Sequence, residues 1–153
     1  MINILIVEDQ EEKSDKIRLF CESNIESLGR VDIEKSLRGG LKSVFASQDY
    51  GLIFLDMSMP NFDPSVDDPL GGSPESFAGL EFISQLKLRR LYFPIIVITQ
   101  YRTFDQGKID LSSIDTFLLS EYGNNYLGAI YYSSADKDWE KPLLDILKEA
   151  EIL

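Results

Sequence analysis

Glu8 and Asp9 directly follow an apolar run, Ile4 to Val7; Asp56 follows a second, Leu52 to Leu55; and Thr99 closes a third, Ile95 to Ile98. If these runs are neighbouring strands of one parallel sheet, three carboxylates and a hydroxyl converge at the carboxyl ends of the strands, where open α/β sheets bind their ligands. Carboxylates held that close resist joint ionisation unless a cation neutralises them. Magnesium suits the task, because it takes carboxylate, carbonyl, water and phosphate oxygens in an octahedron. A carboxylate beside such an ion can attack phosphorus, since the metal offsets the charge on the incoming group. A hydroxyl can then donate a hydrogen bond to a new phosphoryl oxygen.

The elements that must position these groups follow from the alternation of short apolar runs with longer segments of helical spacing, the pattern of βα units in a parallel sheet. Weaker strand candidates lie at Val31 to Ile33 and Ala129 to Tyr132. Ile17, Phe20, Cys21, Ile25 and Leu28 recur every three or four residues and predict a first amphipathic helix. Further helices are expected over Leu37 to Phe45, Leu80 to Leu91, Leu111 to Tyr122 with Asp110 as N-cap, and from about Asp136 to Glu151. Pro142 is tolerated in the last if that helix starts just before it. Five βα units result, and a single α/β domain over residues 1–153 is expected.

Residues 57 to 79 break the pattern, with four of the six prolines and no Lys or Arg. Prolines so spaced forbid a regular helix or central strand, and a loop of this length is usually functional or disordered. The acids there, Asp63, Asp67, Asp68 and Glu75, do not match the alternating ligands of an EF-hand, so a solvated loop is the expectation. The chain carries 26 Asp and Glu against 15 Lys and Arg, a net charge of −11, which argues against nucleic acid or an anionic membrane as partner. The absence of histidine excludes a Ser-His-Asp triad, a His-containing zinc site and an intrinsic phosphohistidine. A lone Cys21 excludes a disulfide framework and fits a reducing cytosol. The opening MINILIVED is too short an apolar run for a signal peptide or a membrane span, and a cytoplasmic protein is expected.

ILIVEDQ, then DYGLIFLDMSMP, then Gly79-Leu80-Glu81 opening a helix, then FPIIVIT resemble, in order and spacing, the receiver domain of two-component response regulators. The resemblance covers about residues 1–100 well and the remainder as architecture. It implies a doubly wound, flavodoxin-like fold with a five-stranded parallel sheet of order 2-1-3-4-5. Glu8 and Asp9 match the family's acidic pair, Asp56 its phosphoacceptor, the Ser58 carbonyl a third protein ligand of Mg²⁺, and Thr99 its switch hydroxyl. One of Tyr131 and Tyr132 matches the aromatic that follows that hydroxyl. The resemblance further implies a histidine kinase or phosphotransfer protein as donor and a downstream effector protein as target.

Three departures from the family stand out. Its lysine after the fifth strand is missing from Tyr131-Tyr132-Ser133-Ser134-Ala135, and Lys137, a few residues on, is the candidate substitute. Gln100 replaces a small residue beside the hydroxyl and is a candidate control on access by donor or water. About three residues usually separate the Met-Pro from the helix-opening Gly, whereas here an insertion spans 61–78 and can lie over the site.

Plainer readings of the same residues exist. Asp9 with Glu12 has the spacing of a capping box, and Asp56 alone could be a turn residue. Tyr101, Tyr122, Tyr126, Tyr131 and Tyr132 could be core, a docking surface or a mixture. Trp139, Leu143, Leu144 and Leu147 read as the sheet-facing stripe of the last helix, and Cys21 as a buried hydrophobe. The expected function is phosphoryl acceptance at Asp56, with output by docking to another protein, and no enzyme activity beyond phosphotransfer and dephosphorylation of the chain itself. A pseudo-receiver that acts as an interaction module without phosphorylation is the alternative. A Mg²⁺-dependent phosphohydrolase ranks last, because Asp56-Met57-Ser58 lacks the second acid that such sites commonly carry.

Overall fold

The computed structural model describes residues 1–60, 63, 77–104 and 107–153. In chain order the elements are β1 (Ile2–Val7), α1 (Glu11–Asn24), β2 (Leu28–Glu34), α2 (Leu37–Ala46), β3 (Tyr50–Leu55), α3 (Ala78–Leu88), β4 (Ile95–Thr99), the two-residue strands β5 (Thr103–Phe104) and β6 (Ile109–Asp110), α4 (Leu111–Tyr122), β7 (Tyr126–Tyr131) and α5 (Glu140–Glu149). Five parallel strands form one sheet in the order β2-β1-β3-β4-β7. Because β7 is the fifth strand of that sheet, this is the order 2-1-3-4-5 of a doubly wound flavodoxin-like receiver fold.

The continuous apolar runs are explained by burial on both faces. Leu5, Val7, Ile53, Leu55, Ile95 and Val97 point to one core, which α2, α3 and α4 cover. Their chain neighbours Ile4, Ile6, Leu52, Phe54, Ile96 and Ile98 point to the other, which α1 and α5 cover. In that second core the Trp139 ring packs 5.6 Å from Phe20 and 5.4 Å from Tyr132, centroid to centroid.

Several boundaries differ from the sequence expectation. Leu28, read as the end of the first helical stripe, starts β2, because α1 ends at Asn24 and Ile25 is already extended. The Asp9–Glu12 capping box does not form: Gln10 is the N-cap of α1 and receives no side-chain cap. The third helix starts two residues early, at Ala78, and stops at Leu88, where Arg90 adopts a positive φ of 57°. The last strand begins at Tyr126, and the last helix begins at Glu140 rather than Asp136. The Asp136 carboxylate accepts from the Asp138 amide at 3.0 Å, a local turn that delays the helix. Pro142 then falls in the first turn, where a missing N–H costs nothing. Ser36 and Asp110 cap α2 and α4 through Gly39 and Ser113. Of the 61–78 insertion, residues 61, 62 and 64–76 lie outside the described residues, and so does its expected position over the site.

Candidate functional site

Strand β1 pairs with both β2 and β3, so the strand order reverses beside it, and a crevice opens at the carboxyl ends of β1 and β3. Val7 and Leu55 are register partners, and the Asp56 amide donates to the Val7 carbonyl at 3.1 Å. Glu8 and Asp56 therefore leave adjacent strands at the same level. With Asp9 they form the one cluster of three potential metal-ligating side chains among the described residues, each contributing an oxygen within 4.8 Å of the others. Glu8 and Asp56 are buried and Asp9 is half-buried.

Into this cluster comes a side chain that the sequence reading did not single out. Lys13, on the first turn of α1, has its ammonium fully buried, ion-paired with Glu8 Oε1 and 3.3 Å from Asp56 Oδ2. It also donates to the carbonyl of Ile98, at 2.7 Å, one residue before Thr99. A signal for it was available: Lys13 lies four residues before Ile17 and so extends the buried stripe of α1 by one turn.

Burial pushes the Glu8 carboxyl up to about 8, with the negative charge of Asp56 adding to the rise and Lys13 opposing it. Three carboxylates and one ammonium leave a negative excess, which a divalent cation would offset while keeping Glu8 ionised. The donors are hard oxygens, the set that such an ion takes, so the residues fit it. The Ser58 amide lies 3.5 Å from Asp56 Oδ1, and Ser58 is half-buried beside it.

Thr99 ends β4, fully buried, its hydroxyl oxygen accepting from the Tyr101 amide at 3.3 Å. Its register partner on β7 is Tyr131, whose partly exposed ring carries the Arg102 guanidinium 3.8 Å from its centroid. Tyr132 points to the opposite face, buried beneath Lys13, with 5.7 Å from the ammonium to its ring centre. Gln100 is half-buried beside Thr99. Lys137 is exposed and lines a shallow groove with Lys16, Leu19 and Glu140, on the flank between α1 and the start of α5. Tyr122, Tyr126 and Tyr132 are core, whereas Tyr101 and Tyr131 reach the surface, so the aromatic group divides between packing and exposure. Asp63, the described acid of the insertion, accepts from the Ser36 hydroxyl at 2.6 Å, by the N-cap of α2.

The backbone behind Asp56 is closely packed. Gly79, at the start of α3, donates its amide to the Met57 carbonyl at 3.0 Å. A β-carbon there would lie 2.7 Å from the Asp56 carbonyl oxygen and 2.9 Å from the Met57 α-carbon.

No family model matches the chain. It is 31% identical over 140 residues to the uncharacterized protein y4jR of Sinorhizobium fredii, covering 89% of this chain and 90% of that one. It is 27% identical over 152 residues to the Detocs response regulatory protein DtcB of Enterobacter cloacae, covering 97% and 99%. Among solved structures it resembles the response regulator TrrA of Thermotoga maritima in complex with Mg²⁺ and BeF, with a TM-score of 0.59, 20% identity, and coverage of 96% of this chain and all of that one. The Mn²⁺-bound form of the response regulator Rcp1 matches with a TM-score of 0.65 and 18% identity, over 97% and 93% of the two chains. The chain thus has the fold of response-regulator receiver domains, with the acidic cluster at its switch point, and it is similar along nearly its whole length to a response regulatory protein.

Proposed function

We propose that the protein is a phosphoacceptor switch in which Asp56 receives a phosphoryl group from a partner histidine kinase or phosphotransfer protein. The observation that carries this reading is the joint position of Glu8, Asp9 and Asp56 at the β1–β3 switch point, within 4.8 Å of one another. A carboxylate oxygen of Asp56 attacks the donor phosphorus and a new P–O bond forms. The bond from phosphorus to the donor nitrogen breaks, and its electron pair stays with the imidazole. Glu8, Asp9, Asp56 and the Ser58 carbonyl would hold Mg²⁺, which when bound offsets the charge gathered at the reacting oxygens. The Thr99 hydroxyl turns toward the added phosphoryl oxygen, and Tyr131, its register partner, is the aromatic that registers the change at the surface. Gln100, beside Thr99, narrows access for small donors and water.

The surplus of acids favours a protein effector over nucleic acid or an anionic membrane. Among the described residues no helix is long and apolar enough to cross a membrane, and we place the switch in the cytoplasm. The chain catalyses nothing beyond its own phosphotransfer and dephosphorylation.

Intact mass spectrometry after incubation with Mg²⁺ and acetyl phosphate, or with a phosphorylated donor kinase, tests this reading. One phosphoryl adduct is expected on the wild type and none on Asp56→Asn. No adduct from either donor favours an interaction module that is not phosphorylated, and continuous phosphate release favours a phosphohydrolase.

A further inference from the structure

We infer that Lys13, on α1, is the cation that meets the phosphoryl group on Asp56 and ties its arrival to the end of β4; this rests on Asp56 being the acceptor. Around the Lys13 ammonium stand three oxygens: the Ile98 carbonyl, to which it donates, and its two ion-pair partners, Glu8 Oε1 and Asp56 Oδ2. Two of these are at the acidic cluster, and the third belongs to the residue before Thr99.

An ammonium removed from water so completely is costly to hold unless charge partners are fixed around it. Its partners here are the acceptor carboxylate and the neighbouring acid. Phosphorylation turns one Asp56 oxygen into the bridging oxygen of an acyl phosphate and adds a group of about two negative charges next to it. With Nζ already 3.3 Å from Asp56 Oδ2, the nearest fixed positive charge is in contact range of that group without a large movement. The segment after β7, Ser133-Ser134-Ala135, brings hydroxyls but no charge, and Lys137 lies out on the flank of the molecule.

Lys13 also explains how the acceptor communicates. Its bond to the Ile98 carbonyl holds the last peptide of β4, the one whose nitrogen belongs to Thr99. An ammonium drawn toward the phosphoryl oxygens weakens that bond and frees the Thr99 peptide to reorient. The contact therefore positions Thr99 as well as neutralising charge.

The test uses the full chain uniformly labelled with ¹⁵N, with Mg²⁺ and beryllofluoride, a mimic of the phosphoryl group. Fluorine NMR reports bound beryllofluoride, and proton–nitrogen NMR reports the Lys13 ammonium, whose burial slows exchange with water. The expected result is a bound fluorine signal that Asp56→Asn abolishes, with shifts of the Lys13 ammonium and the Thr99 amide beyond those Mg²⁺ alone causes. A bound signal with the Lys13 resonance unmoved overturns the inference and leaves Asp56 as acceptor. No bound signal in the wild type overturns the acceptor reading itself. Lys13→Gln, which can still donate to Ile98, is expected to slow acyl phosphate formation about tenfold or more, with partial rescue in Lys13→Arg; equal rates in all three proteins contradict the inference. The wild-type measurement does not depend on any variant folding.

Discussion

The amide of Gly79 is bonded to the Met57 carbonyl, and the α-carbon of Gly79 sits so near Asp56 that an added β-carbon would lie 2.7 Å from the Asp56 carbonyl oxygen. The start of α3 is thus seated on the backbone that carries the acceptor. The obstruction is backbone, so no rotamer change can relieve it. Gly79→Ala is expected to cost about 1–3 kcal/mol, as overpacking of a close contact does, and to slow phosphorylation by displacing Asp56. Thermal unfolding and the rate with acetyl phosphate check both; wild-type values for the two would show that the contact is slack.

Asp9 differs from its two companions in being half-buried, and the ion pairs of Lys13 are with Glu8 and Asp56. Asp9→Asn therefore leaves the buried bridge in place while removing one charged oxygen from the cation site. Calorimetric titration with Mg²⁺ in the absence of donor is expected to show affinity lower by at least about tenfold, with the melting temperature little changed. Unaltered affinity would remove Asp9 from the ligand set.

Tyr132 is the buried member of the Tyr131–Tyr132 pair. Its hydroxyl is buried and has no hydrogen-bond partner among the described residues. Leaving a polar group unpaired in this way costs about 1–3 kcal/mol. Tyr132→Phe should accordingly be as stable as the wild type or more so, and should still bind beryllofluoride. A clear loss of stability on denaturant titration would mean that the hydroxyl is satisfied in solution.

How much of this was readable beforehand can be seen strand by strand. Ile4 to Val7, Leu52 to Leu55 and Ile95 to Ile98 are legible because each apolar run is too short for a helix and suits a strand buried on both faces. Leu28 misled because an apolar residue three places after Ile25 fits a helical stripe as well as it fits a strand start, and neither Gly nor Pro marks the break at Asn24. β5 and β6, at two residues each, are too short to have a period at all. Lys13 escaped because a lysine early in an acidic helix normally belongs to the solvated face; only the unusual density of acids at the strand ends makes its burial affordable.

Away from the site, Tyr122 joins α4 to the turn before β4. Its buried hydroxyl donates to the Leu91 carbonyl at 2.9 Å and accepts from the Phe93 amide at 3.0 Å. Burial pushes its ionisation up to about 12 from the ordinary 10. The folded state therefore keeps this proton where the unfolded chain loses it, so the associated stability is fully present below pH 10 and is lost as pH rises through 12. Tyr122→Phe is expected to lower stability by about 1–3 kcal/mol at neutral pH and to flatten the alkaline limb of a stability profile. A limb as steep as the wild type's would assign that loss to other groups.

The central claim, that Asp56 forms an acyl phosphate, is tested most directly by trapping it. Borohydride reduces an aspartyl phosphate to homoserine and leaves free carboxylates untouched. After treatment with Mg²⁺ and a phosphodonor, then borohydride, peptide mass mapping is predicted to find homoserine at position 56. Its absence there, or its presence at another aspartate instead, would contradict the claim.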